Sequence, residues 1–315
     1  MSLRERAYFA HLARSSRPIL VGPWRSEVGF ECLYWLPWLA AFRERYKIPK
    51  ERLSVITRGG AGVWYDAQQT ADLYDYAPMD RVRKAMLADA KHTGSVKQMQ
   101  ITDWERKLVP VIAHDLGLRR YHWLHPSRMY QGLSLWWEGQ IGLGTLEPLL
   151  RFAPVPVPHP PIELALPEHF VAVRFYHRHT WPMNDELKMW VSDLVDKIAT
   201  HIPVVILNTS IYADEHQDFP IKGDNILSIA PYVTPQNNLA VQSAVLARAK
   251  AFVGTYGGTM QLAVRLHRPS AGFFAQFSGT AYAHKVLTES IGVQQGTPVF
   301  IGKPDDAHFV REVMA

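Results

Sequence analysis

Two adjacent glycines, Gly257 and Gly258, separate an apolar run from an amphipathic stretch in AFVGTYGGTMQLAVRLHRP (251–269). The pattern predicts a strand that ends near Tyr256 and a helix that begins near Thr259. Because glycine has no side chain, the backbone of such a turn can approach a ligand closely, and the first N–H groups of the helix attract anions. A diphosphate suits this turn, with the Thr259 hydroxyl as a helix cap or a phosphate ligand. A tight turn without any ligand explains the glycines equally well.

Arg174 is a second candidate for phosphate binding, because it falls at the end of the predicted strand FVAVRF (170–175). A guanidinium at the carboxyl end of a parallel strand reaches the ligand-binding edge of the sheet and can bind phosphate with two hydrogen bonds. A surface or inter-strand ion pair is the alternative. His177 and His179 follow as an H-x-H pair, but the pattern offers no third metal ligand, which favours solvated loop histidines.

Strand and helix patterns alternate through the second half of the sequence. The apolar, β-branched strand candidates are typical of parallel strands that are buried on both faces. Strands are predicted at 170–175, 204–209, 226–229, 251–256 and 270–274, and helices at 184–200, 238–249 and 259–266. This alternation predicts a doubly wound α/β domain.

The first half shows a similar but less regular pattern. Strands are predicted at 19–22, 53–57 and 97–101. A long aromatic helix is predicted to end near Tyr46, and Thr102 and Glu105 have the spacing of a capping box that opens a helix ending near Gly117. Pro110 is expected to kink that helix or to split off its first turns. The aromatic stretch that follows predicts no element.

Five prolines in nine residues, APVPVPHPP (153–161), predict a stiff extended linker. The predicted domains are therefore 1–158 and 159–315. The predicted fold class is α/β, with two Rossmann-like doubly wound domains that face a cleft. Ligands of such sheets bind at the carboxyl ends of the strands.

The composition is that of an ordinary globular protein, with 47% apolar and 20% charged residues. The net charge of +5 suits a phosphate-bearing ligand, whereas no nucleic-acid-binding signature is present. The single cysteine, Cys32, excludes a disulfide within the chain and favours a reducing compartment; we interpret it as core packing. No apolar stretch reaches the ~20 residues of a membrane-spanning helix. We expect a cytoplasmic protein, with contact to a membrane surface left open.

Three segments resemble parts of the GT-B glycosyltransferases, especially their fucosyltransferase-like and heptosyltransferase-like branches. The run ARAKAFVGTYGGTMQLAVRLHRPSAGFF (247–274) resembles the donor-binding end of these enzymes. GPWRSEVGFECLYWLPWLAAF (22–42) is similar to their N-terminal motif, and FVAVRFYHRH (170–179) to the strand-to-arginine segment of the fucosyltransferase-like proteins. Gly-Gly stands where some relatives have serines. The resemblance implies a metal-independent transferase that takes a nucleotide-diphosphate sugar as substrate and needs no cofactor. It also implies that 1–158 is the acceptor-side domain and that 159–315 binds the nucleotide sugar.

Inverting glycosyl transfer requires a base for the acceptor hydroxyl and positive charge for the departing diphosphate. The sequence contains no D-x-D triplet, which argues against a metal-dependent donor site. Arg174 and the turn at Gly257 are predicted to stabilise the leaving group. Glu27, in the loop RSEVGF, is the predicted base, and Glu31, one turn later, is the alternative. Acidic residues also favour helix N-termini for electrostatic reasons alone.

The resemblance places further donor contacts in the second half. Thr255 and Tyr256 lead into the glycine turn, Tyr232 is expected to stack on the nucleotide base, and Asn238 or Gln242 to hydrogen-bond it or the ribose. A polar loop before a helix explains the last three equally well. The acidic pair Asp214 and Glu215 is a candidate for contact with the sugar.

The predicted acceptor contacts lie in the first half. Trp24 and Arg25 are candidates for binding a sugar and an acidic acceptor, and Arg58 opens the turn RGGAG (58–62), whose glycines also fit a plain turn. Trp136 and Trp137 are interpreted as core.

Three hypotheses follow. The first is a glycosyltransferase of hexosyl or fucosyl type, which acts on a glycan or small glycoside in polysaccharide biosynthesis. The second is a sugar-nucleotide epimerase or pyruvyl transferase of the same architecture. The third is a non-catalytic protein that binds a nucleotide or polyanion.

Overall fold

The computed structural model describes residues 3–93, 97–157, 164–178, 180–182, 184–209, 211, 217–277, 281–310 and 313. The chain divides into two compact units, Met1–Pro156 and Val157–Ala315, which we call unit 1 and unit 2. Each unit has its own parallel sheet. The predicted α/β class with two doubly wound sheets is therefore confirmed.

Unit 1 is built on a sheet of four parallel strands in the order β3-β2-β1-β4. Its described elements, in chain order, are α1 (Leu3–Arg14), β1 (Ile19–Val21), α2 (Val28–Phe30), a π-helical turn (Glu31–Trp35), α3 (Leu36–Tyr46), β2 (Leu53–Thr57), β3 (Gln69–Asp72), α4 (Leu73–Tyr76), α5 (Met79–Thr93), α6 (Asp103–Asp115), β4 (His122–Leu124), α7 (Ser127–Gly132), α8 (Ser134–Trp137) and α9 (Leu143–Leu146). Three-residue 3₁₀ turns lie before β2 and after α9, and a longer one precedes β3. The chain reverses its direction of winding between β1 and β4, so the carboxyl ends of these two strands form the switch point of the sheet.

The sequence-based predictions for unit 1 are partly confirmed. The strands at 19–22 and 53–57 and the helix ending at Tyr46 are present, and Thr102 and Glu105 form the complete capping box. The predicted strand at 97–101 is wrong, because Gln98 turns its amide inward to hydrogen-bond the loop after β1. Pro110 does not break α6; it lies on the exposed side of an uninterrupted helix.

The helix that follows β1 buries an aromatic layer. Trp24 stacks on Trp35 with ring centroids 5.8 Å apart, and Trp35 stacks on Trp38 at 5.5 Å. The continuous helical path through the π turn brings these rings to one side, where they are buried. Each such aromatic pair contributes about 0.5–1.5 kcal/mol beyond the area it buries, which fixes the start of the helix against the sheet.

Unit 2 contains a sheet of six parallel strands in the order β12-β11-β10-β5-β7-β9. Its described elements, in chain order, are β5 (Val171–Arg174), β6 (Tyr176–His177), α10 (Asp185–Ala199), β7 (Val204–Ile206), β8 (Gln217–Asp218), β9 (Ile226–Ser228), α11 (Asn238–Arg248), β10 (Ala251–Thr255), α12 (Gly258–Arg265), β11 (Ser270–Phe273), α13 (Ala281–Gln295) and β12 (Val299–Gly302), with β6 and β8 forming a separate antiparallel pair. Counted from β5, the large sheet has the strand order 3-2-1-4-5-6 of a dinucleotide-binding fold. Every strand and helix predicted in this half is confirmed; α13 and β12 were not predicted.

Gly254 of β10 has no room for a side chain beside β5. It pairs with Arg174 across the two strands, and a Cβ at Gly254 would lie 2.1 Å from the Arg174 carbonyl oxygen. Because that obstacle is backbone, it cannot rotate away.

We expect Gly254→Ala to lower the free energy of unfolding by about 1–3 kcal/mol, since β10 must move away from β5 to accept the methyl group. Urea denaturation followed by circular dichroism measures this loss. Gly142→Ala is the matched control, because a Cβ there meets no described atom within 4 Å. Equal stability of the two variants would show that the strands separate freely at this point.

Candidate functional site

The switch point of unit 2 lies between β5 and β10, the two strands from which the sheet winds in opposite directions. In open α/β sheets ligands bind outside the carboxyl ends of the strands at this point. β5 ends at Arg174, and β10 ends at Thr255 just before the glycine turn. The two segments singled out in the sequence for phosphate binding are therefore neighbours at one edge of one sheet.

Arg174 is held at this edge by three side chains. Its Nε lies 3.1 Å from Asp218 Oδ1, and its Nη1 donates to Gln242 Oε1 at 2.9 Å and to Thr259 Oγ1 at 3.2 Å. Gln242 in turn donates to Asn238 Oδ1 at 2.6 Å. The guanidinium, whose side chain is 16% exposed, is thus oriented toward the start of α12. The structure brings together Arg174, Thr259 and both predicted amide residues.

The N-terminus of α12 is open toward this guanidinium. Gly257 is the N-cap residue, and no side chain in the described part of the protein caps the helix there. The first helical hydrogen bond runs from Gln261 N to Gly257 O at 3.0 Å. The N–H groups of the first turn therefore present the positive end of the helix dipole to the strand ends.

Gly257 also has a packing reason to be glycine. A Cβ at this position would lie 2.0 Å from the Tyr176 hydroxyl and 3.1 Å from Arg178 Nη1. The missing side chain lets a phenol and a second guanidinium reach the helix start. The tight turn and the anion-binding hypothesis are thus compatible.

Arg178 is the functional candidate that the sequence analysis missed. Its backbone pairs with Trp181 in both directions, at 3.0 and 2.9 Å, and this local turn fixes the residue beside the glycines. Among the described residues, Arg178 Nε is buried and has no hydrogen-bond partner. The signal that could have identified it is a second arginine one short turn after Arg174 in RFYHR. Among the described residues at this sheet edge, two guanidinium groups and a helix N-terminus lie with one carboxylate, Asp218, so their net charge is positive.

Other predicted donor residues occupy two kinds of environment. Thr255 is fully buried, and its hydroxyl accepts from Tyr176 N at 3.1 Å and donates to Tyr176 O at 3.3 Å. Tyr256 is 3% exposed. The predicted ligand contact of these two side chains does not agree with their burial. Thr255 joins β10 to the segment that carries Arg178, whereas the Tyr256 ring contacts Phe277. Tyr232, at 44% exposure, has a ring face open to stacking.

Several candidates bear on metal binding. Among the described residues, no group of three histidine, cysteine, aspartate or glutamate side chains has a metal-binding arrangement. His177 Nδ1 is buried there without a hydrogen-bond partner. His179, Asp214 and Glu215 lie outside the described residues. Independence from metal remains a prediction.

In unit 1, Glu27 lies at the start of α2, after the β1 strand end. It is the N-cap residue, yet its side chain makes no capping hydrogen bond within the described structure. Its Oε1 lies 2.9 Å from Lys97 Nζ, and the side chain is 34% exposed. Lys97 also lies over the Phe30 ring, 3.6 Å from its centroid. Glu27 is therefore an oriented, accessible carboxylate whose predicted role as base is retained as a proposal.

Glu31, the predicted alternative base, is enclosed. Its carboxylate lies 2.8 Å from Arg58 Nη1, accepts from Thr57 Oγ1 at 3.1 Å and accepts from the Tyr65 hydroxyl. Burial raises the pKa of Glu31, against the lowering effect of the Arg58 charge. Arg58 also donates to Ser26 O. This network ties the loop before α2 to the end of β2, so the exposed roles expected for Glu31 and Arg58 do not agree with the structure.

Trp24 and Arg25 are likewise buried. The Trp24 ring lies between Trp35 and Tyr130, with centroids 5.8 and 6.4 Å away, and has no exposed surface. Arg25 Nε lies 2.9 Å from Glu105 Oε1, and the arginine is 3% exposed. Both residues were expected to contact an acceptor. Instead Trp24 packs in the core and Arg25 forms an internal ion pair. The interpretation of Trp136 as core agrees with its 6% exposure.

Several polar groups at the switch point of unit 1 hydrogen-bond to the carboxylate of Glu105. Oε1 lies near Arg25 Nε, Gln98 Nε2 at 3.1 Å and His125 Nε2 at 3.2 Å, while Oε2 accepts from Thr102 N at 2.8 Å. Burial alone would raise its pKa, but the His125 hydrogen bond and the Arg25 charge prevail and lower the pKa to about 2. The buried carboxylate is therefore ionised and fully hydrogen-bonded.

Comparison with known proteins gives similarity of fold. The chain matches no protein-family model and no curated protein. Among solved structures, the E. coli heptosyltransferase WaaC with ADP is similar over 94% of this chain and 98% of that chain, with 14% identity and a TM-score of 0.46. E. coli ADP-heptose LPS heptosyltransferase II is similar over 94% and 98%, with 13% identity and a TM-score of 0.45. A family 9 glycosyl transferase from Veillonella parvula is similar over 95% and 89%, with 11% identity and a TM-score of 0.48.

Identities of 11–14% concern the fold alone. The hexosyl or fucosyl type stays a prediction. In the described part of the chain, helices long and apolar enough to cross a bilayer are absent.

Proposed function

We propose that this protein transfers a glycosyl group from a nucleotide-diphosphate sugar to a hydroxyl-bearing acceptor, and that unit 2 binds the donor. The observation that supports this most directly is the meeting of Arg174, Arg178 and the uncapped start of α12 at the switch point of a 3-2-1-4-5-6 sheet. A diphosphate matches that charge and geometry. The sequence resemblance of 247–274 to GT-B donor segments supports the same assignment.

The proposed chemistry follows from where charge develops. As the bond between the anomeric carbon and the diphosphate breaks, negative charge grows on the leaving phosphate oxygen. Two guanidinium groups and the amides of the first turn of α12 stabilise that charge without reorganising, because they are already oriented. The role of metal in other transferases is then taken by Arg174 and Arg178. Asp218, paired with Arg174, fixes the guanidinium and is not a metal ligand in this proposal.

A panel of ligands tests the donor site. We expect one nucleoside diphosphate to raise the unfolding temperature, its monophosphate to raise it less, and the free nucleoside to leave it unchanged, because the phosphates carry the contacts. Chelator is expected to make no difference. A nucleoside that stabilises as well as its diphosphate, or a panel without any shift, would contradict diphosphate binding at this turn. Conversion of the donor without an acceptor would instead indicate the epimerase hypothesis.

Glu27→Gln is expected to reduce turnover of the donor and acceptor by about 10²–10⁴-fold, the usual contribution of a general base. Nucleotide affinity should not change, since Glu27 belongs to unit 1 and the donor contacts to unit 2. Steady-state rates and calorimetric titration on the same preparations measure the two quantities. Glu51→Gln, at an exposed site of unit 1, is the control. Unchanged turnover in Glu27→Gln would exclude the carboxylate as base.

A further inference from the structure

A cavity of about 320 Å³ opens beside the carboxyl end of β4 in unit 1. It is lined by α1, the segment before α6, the first turn of α6 and the start of α7. The lining residues are Tyr8, Gln100, Ile101, Arg106, Trp123, His125, Ser127, Arg128 and Gln131. Its size is within the range of small-ligand pockets and exceeds what a bare phosphate ion fills. None of the donor or acceptor residues predicted from the sequence lines it.

The lining carries positive charge without an acidic residue. Arg106 and Arg128 both contribute guanidinium groups, and Arg128 lies over the Tyr8 ring, 4.5 Å from its centroid. Within the described residues, neither guanidinium forms an ion pair with a carboxylate. The nearest acid behind the wall, Glu105, is already neutralised by Arg25. An anionic group is therefore the complementary ligand feature.

The floor of the cavity is a built polar surface. His125, 1% exposed, lies 3.2 Å from Glu105 Oε1 through Nε2, and its Nδ1 accepts from Ser127 N at 3.1 Å. Because Nδ1 accepts an amide N–H, it carries no proton, and Nε2 is the donor to Glu105. The Ser127 hydroxyl, 2.9 Å from Nδ1, keeps its oxygen lone pairs for a ligand. Gln100 and Gln131 add amides that can both donate and accept.

We propose that this cavity binds a small hydroxylated acid, such as a sugar acid or a sugar phosphate, at a site of its own in unit 1. Arg106 and Arg128 hold the anionic group. Ser127, Gln100 and Gln131 hydrogen-bond the hydroxyls, and the rings of Tyr8 and Trp123 offer apolar faces to the carbon skeleton. The site does not depend on the function proposed for unit 2.

The line Ser127–His125–Glu105 is not assigned to nucleophilic catalysis. A serine nucleophile needs the imidazole nitrogen beside it free to take its proton. Here the Ser127 amide already occupies Nδ1, within a short turn that fixes the imidazole. The Ser127 hydroxyl beside the fixed His125 imidazole is therefore suited to binding a ligand.

Isothermal titration of the full chain with glucuronate, glucose 1-phosphate, glucose and inorganic phosphate tests the proposal. We expect saturable binding of glucuronate or glucose 1-phosphate, and these two arms decide between carboxylate and phosphate. Arg106→Gln and Arg128→Gln should each weaken binding by about 10- to 100-fold, the loss of a charged hydrogen bond. Arg119→Gln, an exposed arginine of unit 1 outside the cavity, should leave it unchanged.

Three results would overturn the proposal: no binding of either acid, binding of inorganic phosphate as tight as that of the sugar acids, or equal loss in Arg119→Gln and Arg106→Gln. The Arg174→Ala variant keeps the test separate from the proposed function. Binding of the acid should persist in that variant, and its loss there would place the ligand in unit 2 instead.

Discussion

Replacing Arg174 by alanine is expected to weaken binding of the nucleoside diphosphate by about 10- to 100-fold, the range for loss of a charge-assisted hydrogen bond. The change also leaves Asp218 without its partner at 3.1 Å, which turns a neutral pair into a negative charge facing the phosphates. Turnover should fall by at least the same factor, because the same charge stabilises the leaving group. Isothermal titration with the nucleotide found by the panel measures the affinity.

Arg178→Ala is expected to act in the same direction, and Arg174→Lys to retain part of the affinity, since it keeps the charge but not the fork that joins Asp218 to Gln242. Arg248→Ala is the matched control, because Arg248 is exposed at the end of α11 in the same unit. Equal affinity in Arg174→Ala and Arg248→Ala would contradict the donor site at the α12 N-terminus and with it the proposed function.

Replacing Glu105 by glutamine is expected to lower the free energy of unfolding by about 3–5 kcal/mol at pH 7, the cost of breaking a buried charge pair. The variant leaves Arg25 buried without its counter-charge and puts an amide N–H₂ among groups that themselves donate hydrogen bonds. Urea denaturation at several pH values measures the loss.

The pH dependence has a definite sign. The pKa of Glu105 lies at about 2 in the folded protein, below its ordinary value of 4.5. The stabilisation is therefore fully present above about pH 4.5 and is lost as the pH falls toward 2. The difference between wild type and Glu105→Gln should shrink over that window.

Asp103→Asn is the control, since Asp103 is an exposed acid in the same first turn of α6 and contributes less than about 1 kcal/mol through the helix dipole. Equal losses in Asp103→Asn and Glu105→Gln, or a difference independent of pH, would show that the buried network does not hold the loops.

The central strands of unit 2 could be predicted because they are buried and therefore largely apolar, as in β7 (Val204–Ile206) and β10 (Ala251–Thr255). β3 (Gln69–Asp72) gave no such signal, because it is a polar edge strand that only half faces the core. The segment KQMQI (97–101) gave a false strand signal. Its alternating pattern resembles a half-buried strand, but Gln98 is buried for its hydrogen bonds to the loop after β1.

Residues of the candidate site could be predicted where their place depends only on where a strand ends. Arg174 and the turn at Gly257 follow from strand ends and glycine spacing. Arg178 was missed because its place depends on a local turn with Trp181 and on the missing Cβ of Gly257. Trp24 and Arg25 follow β1 and Arg58 follows β2, and loops at strand ends are usually exposed. In this protein Glu105 holds Arg25 inside and Glu31 holds Arg58 inside, so the exposure expected of these loops was wrong.

One oxygen atom, Glu105 Oε1, contacts side chains from three separate segments: Arg25 after β1, Gln98 before α6 and His125 after β4. It works as a common anchor, so these segments cannot move independently. His125 lines the cavity, and Arg25, which shares its acceptor, lies two residues before Glu27. Within unit 1, His125 and the loop that carries both Arg25 and Glu27 are thus joined through one carboxylate oxygen, by a path of two hydrogen bonds that ends at Arg25.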